Sequence, residues 1–298
     1  VASDLLYFLG LAVSGLAVGS MYALIALGFV LIFKATKIMN FAHGEVIMIA
    51  AFICFQLVTV YRAPFWIALP VTLAITGLLG VVTERLILRP MLGEPIFSVV
   101  MVTIGLSIFL RSLAGICFGH DNHVFPSPFP VESVSMGGVV LSYTHLSSMA
   151  IAVGLMIAFF VFFKFTKLGL AMRGTANDQD TVALMGVNVK RIFAFTWGLA
   201  FVIAAMAGIF LANVMVLNVG LTYVAIAAFP AVVLGGMESV PGAIIGGLAI
   251  GLIENLAGGY LDQVVGGGVK DVTPFVVLFV VLMIRPYGLF GQEEIERV

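Results

Sequence analysis

Nine apolar stretches separated by short polar joints run the length of the chain, at residues 5–33, 46–60, 65–82, 96–118, 143–163, 192–217, 223–234, 243–260 and 273–284. A helix that crosses a bilayer needs about 20 predominantly apolar residues, fewer where it is broken or crosses in part. The second, seventh and last stretches are short. The pattern predicts an all-α polytopic membrane protein of about 8–9 transmembrane or partly spanning helices with discontinuous short segments. Residues 1–298 read as one transmembrane domain.

The first joint is unusual, because Asn40, His43 and Glu45 stand between two apolar runs. Amide and charged groups at membrane depth are costly and face a polar partner or a water-filled path. Asn40, His43 and Glu45 are therefore candidates for lining a solute pathway or bracing a helix break. Equally, they can satisfy backbone groups freed where the helix is interrupted.

Composition agrees with a membrane protein: 62% of residues are hydrophobic and 10% charged, with a mean hydropathy of +1.19. A net charge of −1 provides no basic face for nucleic acid. The 33 glycines suit helices packed closely in lipid. Cys54 and Cys117 both lie in apolar runs and read as core residues, and no metal-ligand spacing such as H-E-x-x-H or C-x-x-C occurs. Asp4 precedes the first run and lysines follow it, the reverse of a signal peptide's charge order, so this run reads as a retained span.

Lysine and arginine accumulate in short cytoplasmic loops. Lys34, Lys37, Arg85, Arg89, Lys164, Lys167, Arg173, Lys190, Arg191, Arg285 and Arg297 form the basic set, whereas residues 119–142 contain no Lys or Arg. Alternating crossings then place the loop 119–142 and the N-terminus outside and the C-terminus in the cytoplasm. Arg62, Arg111 and Lys270 fit less well, since each falls near an outer end. A long span followed by a short interrupted one occurs twice, in residues 5–60 and 192–234, with Pro230 and Gly235-Gly236 expected to mark the second interruption. Paired broken segments of this kind meet at the binding regions of many transporters.

The segment 167–191 is too polar to span. Residues 176–185 predict a short cytoplasmic helix, with Thr175 or Asn177 as N-cap, Asp178 and Asp180 in the first turn and Gly186 as the stop. Such a helix presents Val182, Leu184 and Met185 to a partner's groove, or serves only as a solvated connection. In the eighth span Gly247, Gly251, Glu254 and Gly258 fall on one helix face, and Gly242 and Gly246 form an overlapping small pair for close packing. Glu254 thus faces protein. Asn213, Asn218 and Asn255 are candidate outer-vestibule groups or interhelical hydrogen-bonding partners.

Three stretches together resemble one family: G-L-A-M-R-G-T-A-N-D…A-L-M-G-V-N-V-K-R at 169–191, N-F-A-H-G-E at 40–45, and A-V-V-L-G-G-M-E-S-V-P-G-A-I-I-G-G at 231–247. They resemble LivH-type permeases of the branched-chain amino acid ABC transporter family, and they extend over nearly the whole chain. The resemblance implies an inner-membrane, multi-pass importer subunit for branched-chain amino acids or related small polar or carboxylate solutes. It implies that the loop 167–191 is the coupling loop received by ATPase subunits, with Arg173, Thr175, Ala176, Asn177, Asp178, Val182, Ala183, Leu184, Gly186 and Val187 as coupling residues. Asn40, His43, Glu45, Asn213, Glu254 and Asn255 are the candidate pathway residues.

No phosphate-cradling G-x-x-x-x-G-K-[ST] stretch occurs, so the chain carries no ATPase motif of its own. The resemblance implies two separate ATPase subunits that use ATP and Mg, a second homologous or identical permease and a periplasmic or extracellular substrate-binding protein. The chain itself is expected to bind no cofactor and to perform no catalysis. An ion-coupled secondary transporter or facilitative channel, with His43, Glu45 and Glu254 as a relay, is the alternative, but it leaves the segment 167–191 without a task. An intramembrane enzyme is a poorer reading, because no nucleophile and base stand out together.

Overall fold

A computed structural model of the chain describes residues 2–130, 132–136 and 139–291. Arg297, counted in the cytoplasmic basic set, lies outside the described residues. The helices follow the apolar pattern closely: α1 (Ala2–Thr36), α2 (His43–Thr59), α3 (Phe65–Thr83), α4 (Ile96–Phe118), α5 (Tyr143–Phe165), α6 (Lys167–Asn177), α7 (Gln179–Leu184), α8 (Val189–Val214), α9 (Tyr223–Gly235), α10 (Val240–Val265) and α11 (Val269–Ile284). Among the described residues six helices are long and apolar enough to cross a bilayer. The shorter α2, α9 and α11 coincide with the second, seventh and last stretches.

The boundaries have local causes. Pro64 and Pro95 precede α3 and α4 in extended conformation, and Pro241 sits in the first turn of α10 behind the N-cap Ser239. Asn188 caps α8 by accepting the Arg191 N–H at 3.1 Å. A two-stranded hairpin, β1 (Ser133–Met136) with β2 (Val139–Ser142), adds a feature that the apolar pattern does not announce.

The chain divides into two compact units. The first comprises Val1–Val30, Phe129–Val153 and Ala225–Val298. Glycine contacts hold it together: a Cβ on Gly19 would lie 2.9 Å from the Gly247 carbonyl, and one on Gly247 would collide with the backbone of Ala23. Gly251 rests on Gly19, Gly246 on Ala231 and Gly242 on Gly235, so α10 touches α1 and α9 backbone to backbone. Pro230 lies inside α9 and does not interrupt it, contrary to the expectation from sequence, whereas the expected Gly235-Gly236 stop is where α9 ends, with Gly236 left-handed. The chain break in this region precedes α9.

The second unit comprises Leu31–Pro128 and Gly154–Val224. Its core is α8, where Trp197, Phe201 and Phe210 are fully buried. Gly208 packs on the backbone of Ile47 in α2, and a Cβ on Gly80 of α3 would lie 2.6 Å from the Trp197 carbonyl. Beyond α3 the chain tightens through a π-turn, Glu84–Leu88, and a 3-10 turn, Arg89–Met91. Arg89 pairs with Glu84 at 2.7 Å and donates to the Lys190 carbonyl at 3.1 Å, tying this extension to the start of α8. On α4, Ile108, Phe109 and Ile116 stay exposed, as side chains facing lipid do. Cys54 is buried, but Cys117 is exposed. In that last turn of α4 it is Phe118 that turns inward, stacking on Phe52 at 5.0 Å.

Candidate functional site

The candidate pathway residues divide between the units. Asn40, His43, Glu45 and Asn213 belong to the second, Glu254 and Asn255 to the first.

In the second unit, α1 ends at Thr36 and the chain turns through a left-handed Lys37. Asn40, His43 and Glu45 are all buried, at 1%, 0% and 1% exposure. Asn40 Oδ1 accepts the Ala42 N–H at 3.1 Å and its carbonyl accepts the His43 N–H at 3.2 Å, folding the break into the start of α2. Part of this polar cluster therefore satisfies backbone groups at the interruption.

Glu45 is fixed from α4. Arg111 donates to Glu45 Oε1 through Nη2 at 2.7 Å and Nε at 3.3 Å. Its guanidinium also lies over the Tyr223 ring, 5.3 Å from the centroid. Tyr223 follows a 3-10 turn, Val219–Thr222, that packs against α2 and is capped by Asn218, whose side chain also donates to Asn122 at 2.8 Å. Asn213 donates to the Ile209 carbonyl of its own helix at 2.8 Å.

In the first unit Glu254 is 5% exposed on the α10 face that also carries Gly247, Gly251 and Gly258. Lys270 of α11 approaches its Oε1 at 3.9 Å, and the Tyr22 side chain of α1 lies close enough to interact with it. Glu254 Oε2 and Asn255 Nδ2 are buried without hydrogen-bond partners among the described residues. A Cβ on Gly258 would stand 3.2 Å from Lys270 Cβ, so this glycine leaves room for the lysine.

Arg111, Tyr223, Lys270 and Tyr22 were not singled out as site residues by the sequence. A signal for two of them existed. Arg111 and Lys270 are the exceptions to the charge-based orientation, and each lies beside a buried carboxylate.

The segment 167–191 forms two helices rather than the single one expected over 176–185. Thr166 caps α6, accepting the Gly169 N–H at 3.0 Å, and Ala176 and Asn177 close α6 instead of opening the next helix. Thr175 is buried. The cap of α7 is Asp178, not Thr175 or Asn177: its backbone is extended, and Oδ1 accepts the Asp180 and Thr181 N–H groups at 3.0 Å each. A hydrogen bond from the Thr181 hydroxyl, together with these two backbone bonds, holds the Asp178 carboxyl below the usual carboxylate range. Gly186 is left-handed and follows the end of α7. Val182 turns back onto Gly174 of α6 and is not presented with Leu184 and Met185, which are 90% and 79% exposed. Arg173 donates to the Lys164 carbonyl at 3.1 Å, while Ala183 is exposed on α7.

Long apolar helices interrupted by breaks with buried polar groups define a polytopic membrane protein of the class that builds solute pathways from discontinuous helices. The family described as "Branched-chain amino acid transport system / permease component" matches residues 11–284, and the chain belongs to it. The chain is 34% identical to the high-affinity branched-chain amino acid transport system permease protein BraD of Pseudomonas aeruginosa, over 99% of each sequence. It is 32% identical to the permease protein LivH of Salmonella typhimurium and 31% identical to that of Escherichia coli, over 100% of each sequence. Among solved structures, PsaBC from Streptococcus pneumoniae in complex with Fab shares the fold, with a TM-score of 0.52 at 12% identity over 93% of this chain and 92% of that one.

Proposed function

We propose that this permease component conducts branched-chain amino acids, or closely related small zwitterions and carboxylates, inward across a cytoplasmic membrane. Energy comes from two separate ATPase subunits that consume ATP with Mg, and a second homologous or identical permease completes the pathway. A substrate-binding protein delivers cargo at the outer face, opposite the basic segment 164–191. The N-terminus is outside and the C-terminus inside. The chain contributes no catalytic group; its breaks at residues 37–42 and 215–222 provide polar positions along the path.

One observation carries this reading beyond family membership. Between α5 and α8 the chain builds a self-capped helical pair that leaves Leu184 and Met185 exposed. An apolar tip held on a polar, capped base suits insertion into a partner's groove. Movement of that partner on ATP binding then pulls on α6 and α8, at whose ends the pair is anchored.

Purification of the chain from its native membrane tests this directly. ATPase subunits are expected to co-purify, with activity stimulated by leucine-loaded binding protein. Ala183→Pro, which disrupts α7, is expected to abolish stimulation while the protein still inserts. A chain that comes down without ATPase, or an Ala183→Pro variant that transports normally, would sink the proposal.

A further inference from the structure

We infer that the Glu45–Arg111 pair is a two-point recognition site for an α-amino acid zwitterion, with Glu45 taking the ammonium group and Arg111 the carboxylate. This rests on the transport reading above and assigns the chemistry of one point on the path.

The pair's position is the first argument. Arg111 lies fifteen residues into α4, whose start is Ile96, or about 22 Å along the helix axis. Its partner Glu45 occupies the first turn of a broken helix. The pair therefore lies within the span of α4, toward its Phe118 end and beside the start of α2, with its carboxylate buried and its guanidinium partly exposed.

Incomplete use of both groups is the second. The Nη2 and Nε bonds both land on Glu45 Oε1, so Oε2 and the Nη1 edge take no part in the pair. The arginine side chain is 36% exposed although the carboxylate is 2% exposed. Tyr223 covers one face of the guanidinium and leaves its edge to hydrogen bond.

Nearby donors favour a carboxylate end. Ala42, the N-cap of α2, offers no side-chain acceptor to the first-turn N–H groups. Asn40 Nδ2, in the turn leading into α2, is buried without a hydrogen bond among the described residues. The guanidinium edge is the donor for a carboxylate and Glu45 the acceptor for an ammonium, while the α2 start and the Asn40 amide add unused donors at the same helix break.

Charge balance selects the ligand class. Before binding, the two side chains neutralise each other. A zwitterion brings one charge of each sign, so exchanging the internal pair for two ligand pairs leaves no net charge in the apolar span. A carboxylic acid anion or an alkylamine of the same size leaves one side chain uncompensated, which is costly in a desolvated site.

The test uses the permease purified with its ATPase subunits, without binding protein, and compares L-leucine, isovalerate and isoamylamine by competition against radiolabelled leucine. Wild type is expected to prefer leucine over each single-charge analogue by about 10-fold or more, as loss of a hydrogen bond to a charged group implies. In the Glu45→Gln/Arg111→Gln double variant, which buries no lone charge, that preference is expected to vanish. A wild-type complex that holds isovalerate as tightly as leucine overturns the site, whether or not the variant assembles. An assembled double variant that keeps the preference does so too. A wild-type complex that neither binds leucine nor imports it with its binding protein instead brings down the transport reading on which the site rests.

Discussion

Glu45 and Glu254 are both buried carboxylates on apolar helices, yet they are held in different ways. Glu45 meets an arginine fork at 2.7 and 3.3 Å, and that fork lies over an aromatic ring. Glu254 meets a lysine at 3.9 Å, lies beside Tyr22 and retains an oxygen without a hydrogen-bond partner among the described residues. A planar guanidinium fixes its partner's direction, whereas an ammonium on a flexible stem neutralises charge without fixing geometry. The first pair is an ordered element of the helix break. The second is a loosely compensated charge on a face whose order comes from glycine contacts.

The sharpest way to break this contrast is to remove each cation. Arg111→Ala leaves Glu45 buried and uncompensated, which costs about 3–5 kcal/mol. Lys270→Ala should cost about 1 kcal/mol or less, because the lysine is 41% exposed at a long separation. Thermal unfolding in detergent reads both. Equal losses would show that the two carboxylates depend on their cations alike.

Neutralising the carboxylates sharpens the same point. Glu45→Gln should lose about 2 kcal/mol, the value of a charge-assisted hydrogen bond. Glu254→Gln removes an under-compensated charge, so unchanged or raised thermal stability is expected. A clear drop in the Glu254→Gln midpoint would mean that the Lys270 contact is stronger than its length implies.

If glycine packing orders the Glu254 face, then bulk at Gly251 should matter more than loss of Lys270. Its Cβ would meet the backbone of Gly19, so Gly251→Ala should cost about 1–3 kcal/mol through overpacking. Gly258→Ala, whose nearest neighbour is the flexible Lys270 side chain at 3.2 Å, should cost less. A tolerant Gly251 would move the explanation from backbone contact to side chains.

This contrast also marks what the sequence could convey. Apolar run length placed the spans to within a few residues, because burial in lipid demands continuous hydrophobicity whatever the neighbours are. The small-residue face of α10 was legible for the same local reason, helical periodicity. Arg111 was not legible as a partner of Glu45, since 66 positions separate them and charge counting treats each arginine as a marker of membrane side. At the second break the Gly235-Gly236 stop was legible, but Pro230 was misread as an interruption that the helix absorbs, and the further break before α9, at the Asn218-capped turn, was missed. In the segment 167–191 several residues compete to cap, and the choice of Asp178 depends on an extended backbone there that no composition rule specifies.

The smallest expected effect lies at that cap, in a region outside the spans that serves as a control for both buried carboxylates. The hydrogen bonds that Asp178 accepts favour its ionised form, so its value in the fold is below the ordinary carboxylate range. Its contribution is then fully present above the unfolded value, near 3.9, and is lost as pH falls through the lower folded value. Between pH 5 and 8 hydrogen exchange of α7 amides should show no protection change attributable to this group, and fraying should begin only below pH ~4. Asp178→Ala should remove the cap at every pH and raise exchange at Asp180 and Thr181 with little effect on global unfolding. If protection of those amides instead fell between pH 7 and 5, a group other than Asp178 would be holding the start of α7.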